Sequence, residues 1–238
     1  MAEKRLLLLA GPNGSGKSST LNKIITSPFY PGIYISPDEA VKMSPFAEIE
    51  DIRERYGAAM DFCETIRHEL ISEGKSFCFE TVLSTPGKLD FLRMAKSEGY
   101  LIESIFITTS DPEINIRRVA RRVQEGGHHV EDDAVIRRYH RSMGLMTDLF
   151  ELSDNMIIVD SSEDHNEMII VIKNEFSIVG LHVDRWLPWI RDKIISPIFD
   201  NQMNEQQREY YELSERESNI YMGVEKSNTS KGLMRLFL

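Results

Sequence analysis

Apolar residues in this chain fall in short runs separated by polar turns, and the runs alternate between strand-like and helix-like spacing. Leu6 to Ala10 are all apolar, so Lys4–Ala10 reads as a strand buried on both faces. A helix starting near Gly16 is expected to stop at Ser27-Pro28, and Ile33–Ser36 forms a short second strand ended by Pro37. From Ile52 to Ile71 the positions Ile52, Tyr56, Ala59, Met60, Cys63, Ile66 and Leu70 recur at helical spacing, and Gly74 closes that helix. Phe77-Cys78-Phe79 is a third strand. Thr85 then looks like an N-cap, with Pro86 at the first helical position and Gly99 as the stop. Leu101–Thr108 is the fourth strand. Ser110-Asp111-Pro112-Glu113 opens another helix that runs to Gly126-Gly127, with Ile116, Val119, Ala120 and Val123 expected to face inward. A further helix is predicted over Asp132–Leu152, and Met156–Asp160 is the fifth strand.

Strands alternating with helices of this length predict an α/β fold, with a five-stranded mainly parallel sheet and helices on both faces. Past Asp160 the rhythm changes. Met168–Ile172 and Phe176–His182, around the polar turn Lys173-Asn174-Glu175, read as a β-hairpin, and Trp186, Trp189 and Ile190 suggest one more amphipathic helix. From about Asp200 the chain is rich in Asn, Gln, Glu and Ser, as in a solvated helix near Gln202–Glu217 followed by a loose tail. The organisation expected is therefore a core over 1–165, a hairpin-and-helix extension of the same domain over 166–195, and a polar tail over 196–238.

Residues Gly11-Pro12-Asn13-Gly14-Ser15-Gly16-Lys17-Ser18 fill the pattern G-x-x-x-x-G-K-[ST] between the first strand and the helix after it. That context fits a phosphate-binding P-loop better than a ligand-free glycine turn. Backbone N–H groups cradle phosphate oxygens, Lys17 reaches the β- and γ-phosphates, and Ser18 ligates Mg²⁺, with Ser19 following. Ligands of such sheets bind outside the carboxyl ends of the strands, where Asp38 and Glu80 both fall. Asp38 can orient, or take a proton from, an attacking hydroxyl; the alternative is a helix N-cap. Glu80, with Thr81 beside it, can hold a magnesium-bound water or a substrate hydroxyl; the alternative is an ion pair at a strand end.

Composition narrows the function classes. The 238 residues carry a net charge of −10, 41 % hydrophobic and 28 % charged residues, which suits a globular protein and argues against a general nucleic-acid binder. No run approaches the ~18 apolar residues of a membrane span. The N-terminus enters the first strand at once, so no signal peptide is expected, and the two cysteines, Cys63 and Cys78, read as reduced core residues. A cytoplasmic location is the expectation. Positive charge is concentrated: seven arginines and three histidines lie between Arg117 and Arg141. Arg118 and Arg122 on one helix and Arg138 on the next, joined through Gly126-Gly127-His128-His129, suit a lid over 111–142 closing on phosphate. A solvated face of ion pairs accounts for the remaining arginines.

In this order, the P-loop, Ile-Ser-Pro-Asp-Glu, Phe-Glu-Thr-Val-Leu-Ser, Arg-Val-Ala-Arg-Arg-Val-Gln-Glu-Gly-Gly-His and Arg-Arg-Tyr resemble the zeta-toxin-like P-loop kinases, from about Arg5 to Trp189. The family's best-studied members are toxins of bacterial toxin–antitoxin pairs that phosphorylate the 3′-hydroxyl of the sugar in UDP-N-acetylglucosamine. The resemblance implies that Lys17 and Ser18 bind ATP and Mg²⁺, that Asp38 is the base, and that Glu80 is a substrate- and metal-side carboxylate. It also implies that Arg122 is a lid arginine, and it puts His128 near a second lid arginine of the toxins. Those toxins place a threonine and an arginine just after the Glu80 position, where this chain has Val82 and Ser84. The Gly-Gly-His lid resembles a chromosomal branch. An ATP-dependent small-molecule kinase with an antitoxin as candidate partner follows. A nucleotide or nucleic-acid-end kinase, or an ATP-dependent switch whose apolar C-terminus docks a partner, are the alternatives.

Overall fold

The computed structural model describes residues 3–27, 30–126, 129–163, 166–174, 177–180 and 188–198. Its frame is a seven-stranded sheet in the order β2-β3-β1-β4-β5-β6-β7. The strands are β1 (Arg5–Ala10), β2 (Tyr34–Ile35), β3 (Phe77–Thr81), β4 (Leu101–Thr108), β5 (Asn155–Glu163), β6 (Asn166–Asn174) and β7 (Ser177–Gly180). The first five are parallel, and β6 and β7 continue antiparallel from β5. The mainly parallel sheet is as expected but its strand count is not: it has seven strands instead of five, because the hairpin adds two to its edge. This meander requires only tight turns, whereas each parallel step needs a crossover.

Burial explains the central strand. Leu6 to Leu9 are fully buried, with Leu6, Leu8 and Ala10 in the core on one face and Leu7 and Leu9 in the core on the other. Each such leucine contributes roughly 1.5–3 kcal/mol, so the strand that carries the P-loop is among the best anchored elements. Helices α1 (Lys17–Ile25), α3 (Ile52–Ser72), α4 (Gly87–Ser97), α5 (Pro112–Gln124), α6 (Asp132–Gly144) and α7 (Met146–Leu152) surround the sheet. The four-residue α2 (Pro37–Ala40) follows β2, and α8 (Pro188–Ile190) runs on into a π-helical turn, Arg191–Ile195.

Local signals account for the helix starts. Asp51 caps α3 by accepting from the Arg53 and Glu54 N–H groups at 2.9 Å, and those bonds hold its carboxyl below the usual carboxylate range. Asp111 caps α5, accepting from Glu113 N–H at 2.8 Å, with Pro112 at the first helical position. Three expectations are corrected. The helix over Asp132–Leu152 is two helices, because Gly144 weakens it and Leu145 turns the chain so that Leu149 and Phe150 enter the core against α4. Thr85 is not the cap of α4, which begins one turn position later at Gly87 behind Pro86. Ala120 is exposed: α5 buries Asn115 and Val119, so its inward face is shifted and includes a polar side chain. The expected residues Trp186 and Gln202–Glu217 lie outside the described residues. Among the described residues, no helix is long and apolar enough to cross a membrane.

Candidate active site

Two glycines make the loop after β1 possible. Gly11 has φ +142°, and a Cβ there would come within 2.0 Å of the Ile107 carbonyl oxygen on β4. Gly14 has φ +75°, and a Cβ would meet the Asn115 backbone oxygen at 2.6 Å. The loop is therefore pressed against the end of β4 and the start of α5, and only glycine permits that approach. Gly16 then enters α1 without a side-chain cap, leaving the first N–H groups of that helix for an anion.

Buried polar side chains hold this loop from behind. Asn115 is fully buried; its amide donates to the Asn13 carbonyl at 2.6 Å, and its carbonyl accepts from the Thr109 hydroxyl. The Tyr139 hydroxyl donates to the Thr109 carbonyl at 2.7 Å, which carries the network to α6. On the other flank Ser161, at the end of β5, donates to the Ser15 carbonyl at 2.7 Å, and Arg118 donates to the Ser161 carbonyl at 2.7 Å. Asn115 and Ser161 were not singled out by the sequence, and Tyr139 was marked only as the end of the Arg-Arg-Tyr motif. A polar side chain where α5 faces inward was the available sign for Asn115; Ser161 carried none.

In front of the loop lies a cavity of about 910 Å³. Its wall gathers most of the residues singled out from the sequence: Asn13, Gly14, Gly16, Lys17, Ser18, Ser19, Asp38, Glu80, Thr81, Arg118, Arg122 and Arg138. Gly11, Pro12 and Ser15 are buried and do not line that wall. His128 lies outside the described residues. Asp38 is not an N-cap, since Ser36 holds that position and Asp38 sits inside α2.

Lys17 turns back onto its own loop, its Nζ donating to the Gly11 and Pro12 carbonyls at 2.9 and 2.8 Å. Burial lowers its pKa to about 8; Glu80 and Asp38 oppose that shift and Arg122 adds to it. Burial likewise raises the Glu80 carboxyl, while Lys17 and hydrogen bonds from Tyr34 and Ser18 pull it back down. Among the described residues, Glu80 Oε2 is buried without a hydrogen-bond partner. Tyr56, on α3, donates its hydroxyl to Asp38, and burial together with that carboxylate pushes the phenol upward. Arg138 reaches the Asn13 side chain at 3.5 Å.

Beyond Glu80 the backbone is strained. Leu83 has φ 52°, in the left-handed region, with its side chain fully buried and its N–H donating to Thr81 Oγ1 at 3.1 Å. The turn displays Val82 to the cavity and leaves the Thr81 hydroxyl its own proton to donate. The opposite wall comes from α3, with Ile52, Arg53, Tyr56, Gly57 and Met60. Of these the sequence marked only Ile52, Tyr56 and Met60, and only for their helical spacing. Ile52 and Met60 are 48 % and 56 % exposed.

The family model for zeta toxin matches residues 2–165. A protein of Haemophilus influenzae described as uncharacterized is 29 % identical over 142 residues, covering 58 % of this chain and 94 % of that one. Among solved structures, one from the PezAT chromosomal toxin–antitoxin system of Streptococcus pneumoniae is similar in fold. Its TM-score is 0.56 at 17 % identity, over 91 % of this chain and 86 % of that one. The AvrRxo1-ORF1:-ORF2 complex solved with ATP gives a TM-score of 0.63 at 14 % identity, over 99 % of this chain and 76 % of that one.

Proposed function

The chain belongs to the zeta toxin family, a family of phosphotransferases, and we propose that it transfers the γ-phosphate of ATP to a hydroxyl of a small molecule, with Asp38 as base. One observation carries this reading: Lys17, Asp38, Glu80 and Arg122 share one electrostatic neighbourhood on one cavity, each felt by the Lys17 ammonium. Two carboxylates and two cations at the mouth of a phosphate loop suit charge transfer between two oxygens better than simple nucleotide storage.

The acceptor hydroxyl gives its proton to Asp38 as its oxygen attacks the γ-phosphorus. The bond from that phosphorus to the β,γ-bridging oxygen breaks, and ADP leaves with the electron pair. Loop N–H groups from Gly14 to Ser19 hold the β-phosphate. Lys17 exchanges the Gly11 and Pro12 carbonyls for phosphate oxygens, at little reorganisation beyond its own side chain. Arg122 and Arg138, both on the cavity wall, meet the charge that spreads over the transferring group. Tyr56 positions Asp38, and Thr81 and Glu80 orient the acceptor. Ser18 and Glu80, hydrogen-bonded to one another with Glu80 Oε2 left over, are oxygen donors suited to Mg²⁺, which would neutralise the β- and γ-phosphate oxygens.

For the acceptor we put a nucleotide sugar such as UDP-N-acetylglucosamine first, and an antitoxin-type protein as the partner that controls the enzyme. The family and the toxin–antitoxin neighbour in fold support both. The test is incubation with ATP·Mg²⁺ and a panel of nucleotide sugars, nucleotides and oligonucleotides, read by mass spectrometry. Gain of one phosphoryl group on an acceptor is the expected result. ADP formation with every acceptor unchanged would sink the kinase reading in favour of a nucleotide switch.

A further inference from the structure

The segment matched to zeta toxin ends at residue 165, but the described chain runs on to Ile198. Its last part is firmly seated. Ile190, Ile194, Ile195 and Ile198 are buried in the same core cluster as Leu6, Leu8 and Ala10 of β1. Isoleucines recurring at helical spacing put one face of α8 and the π-helical turn Arg191–Ile195 onto that core and leave Lys193 outside, exposed. Turns of this wide kind are frequent at functional sites, yet no residue of this segment lines the cavity.

What Lys193 touches leads to the phosphate loop. Its Nζ lies over the Tyr139 ring, 5.6 Å from the centroid, within reach of a cation–π contact. Tyr139 is fully buried on α6, and the hydroxyl at the far end of its ring donates to the Thr109 carbonyl at 2.7 Å. The Thr109 hydroxyl donates to the Asn115 side chain, whose amide donates to the Asn13 carbonyl at 2.6 Å. Asn115 also supplies the backbone against which Gly14 is pressed. Tyr139, Thr109 and Asn115 are all fully buried, so a hydrogen-bond partner lost anywhere along this relay is costly to replace.

We infer that Lys193 is a positioning residue for ATP: by holding the Tyr139 ring from the surface it sets the relay through Thr109 and Asn115 to Asn13, and with it the phosphate loop. The inference rests on the ATP-binding reading of that loop. It makes the helix beyond residue 165 part of the nucleotide site without touching the nucleotide. A single cation–π contact is small, so its removal grades the affinity for ATP and leaves the fold standing.

The experiment compares the full chain with Lys193→Ala, Lys193→Arg, Tyr139→Phe and the double variant Lys193→Ala/Tyr139→Phe. Urea unfolding, affinity for a non-hydrolysable ATP analogue by calorimetry, and transfer to the acceptor panel are measured on each. Lys193→Ala should weaken analogue binding about two- to fivefold, the range that an exposed cation–π contact supplies. Lys193→Arg keeps a cation on the ring and should restore the parent affinity. Tyr139→Phe leaves the ring in place but removes the donor to Thr109, and binding should weaken about tenfold. With the relay already cut, adding Lys193→Ala should weaken binding no further. Loss of one positive charge near a polyanion would instead weaken both backgrounds alike. Analogue affinity unchanged in Lys193→Ala and Tyr139→Phe, whatever their unfolding midpoints, overturns the inference, and so does an equal loss from Lys193→Ala in both backgrounds. The kinase reading is judged separately. A parent that binds the analogue but leaves every acceptor unchanged removes the kinase without touching the relay, and transfer by variants of unaltered affinity does the reverse.

Discussion

The two walls of the cavity are built by opposite means. The phosphate wall is backbone: glycines at positive φ pressed onto β4 and α5, braced by the buried side chains of Asn115 and Ser161. The α3 wall is side chain: Ile52, Arg53, Tyr56 and Met60 projecting from one helix, two of them exposed apolar groups, around Gly57, where a Cβ would find no atom within 4 Å. A phosphate offers the same oxygens in every nucleotide, so a rigid set of N–H groups serves it. An acceptor differs in shape from one substrate to another, and side chains on an exposed helix can be exchanged without disturbing the core. Tolerance to substitution should therefore differ sharply between the walls.

The comparison is sharpened first where both walls converge. Asp38→Asn should lower the rate of transfer by about 10²–10⁴ while ATP affinity, measured by calorimetry, stays within a few-fold. Retained transfer would remove Asp38 from the role of base. Tyr56→Phe deletes only the hydroxyl that Asp38 accepts from. A hydrogen bond to a charged group contributes roughly 1.5–3 kcal/mol, so kcat should drop about ten- to hundredfold with the fold intact by circular dichroism. An unchanged kcat would show that α2 alone positions the carboxylate.

On the phosphate wall, Gly14→Ala places a methyl against the Asn115 backbone at a positive φ. The left-handed conformation alone costs about 1–2 kcal/mol, so urea unfolding should shift by at least that much and ATP binding should weaken with it. A matching loss from Gly57→Ala would break the contrast drawn between the walls. The smallest effect is on pH dependence. Above pH about 8 the nucleotide-free Lys17 loses its proton, whereas phosphate oxygens favour the ammonium form. Binding ATP then takes up a proton, so affinity should be constant below that pH and fall by up to ~tenfold per unit above it. Calorimetry at pH 9 in two buffers of different ionisation heat reads the uptake directly; equal heats would mean that Lys17 stays charged throughout.

How much of this was legible beforehand depended on the range of the signal. Strand runs, helix caps and the glycine pattern act between residues a few positions apart, and β1, the P-loop and the cap of α5 were read correctly from them. The split at Gly144 was missed because periodicity continues across it and only the packing of Leu149 and Phe150 against α4 decides the turn. Asp38 and Glu80 were singled out because one follows β2 closely and the other lies near the end of β3, at the edge where ligands of parallel sheets bind, and both line the cavity.

The sequence by itself determined the phosphate-binding half of this protein, since conformation there follows from which residues can adopt positive φ and which side chains can cap a helix. Tertiary structure alone decided the rest. Asn115 braces Asn13 across 102 positions, Ser161 reaches Ser15 across 146, and Ile52 and Met60 turn to the cavity instead of the core. These contacts leave no local pattern, because a buried hydrogen bond is specified by the partner it finds and a helix face by what is packed against it.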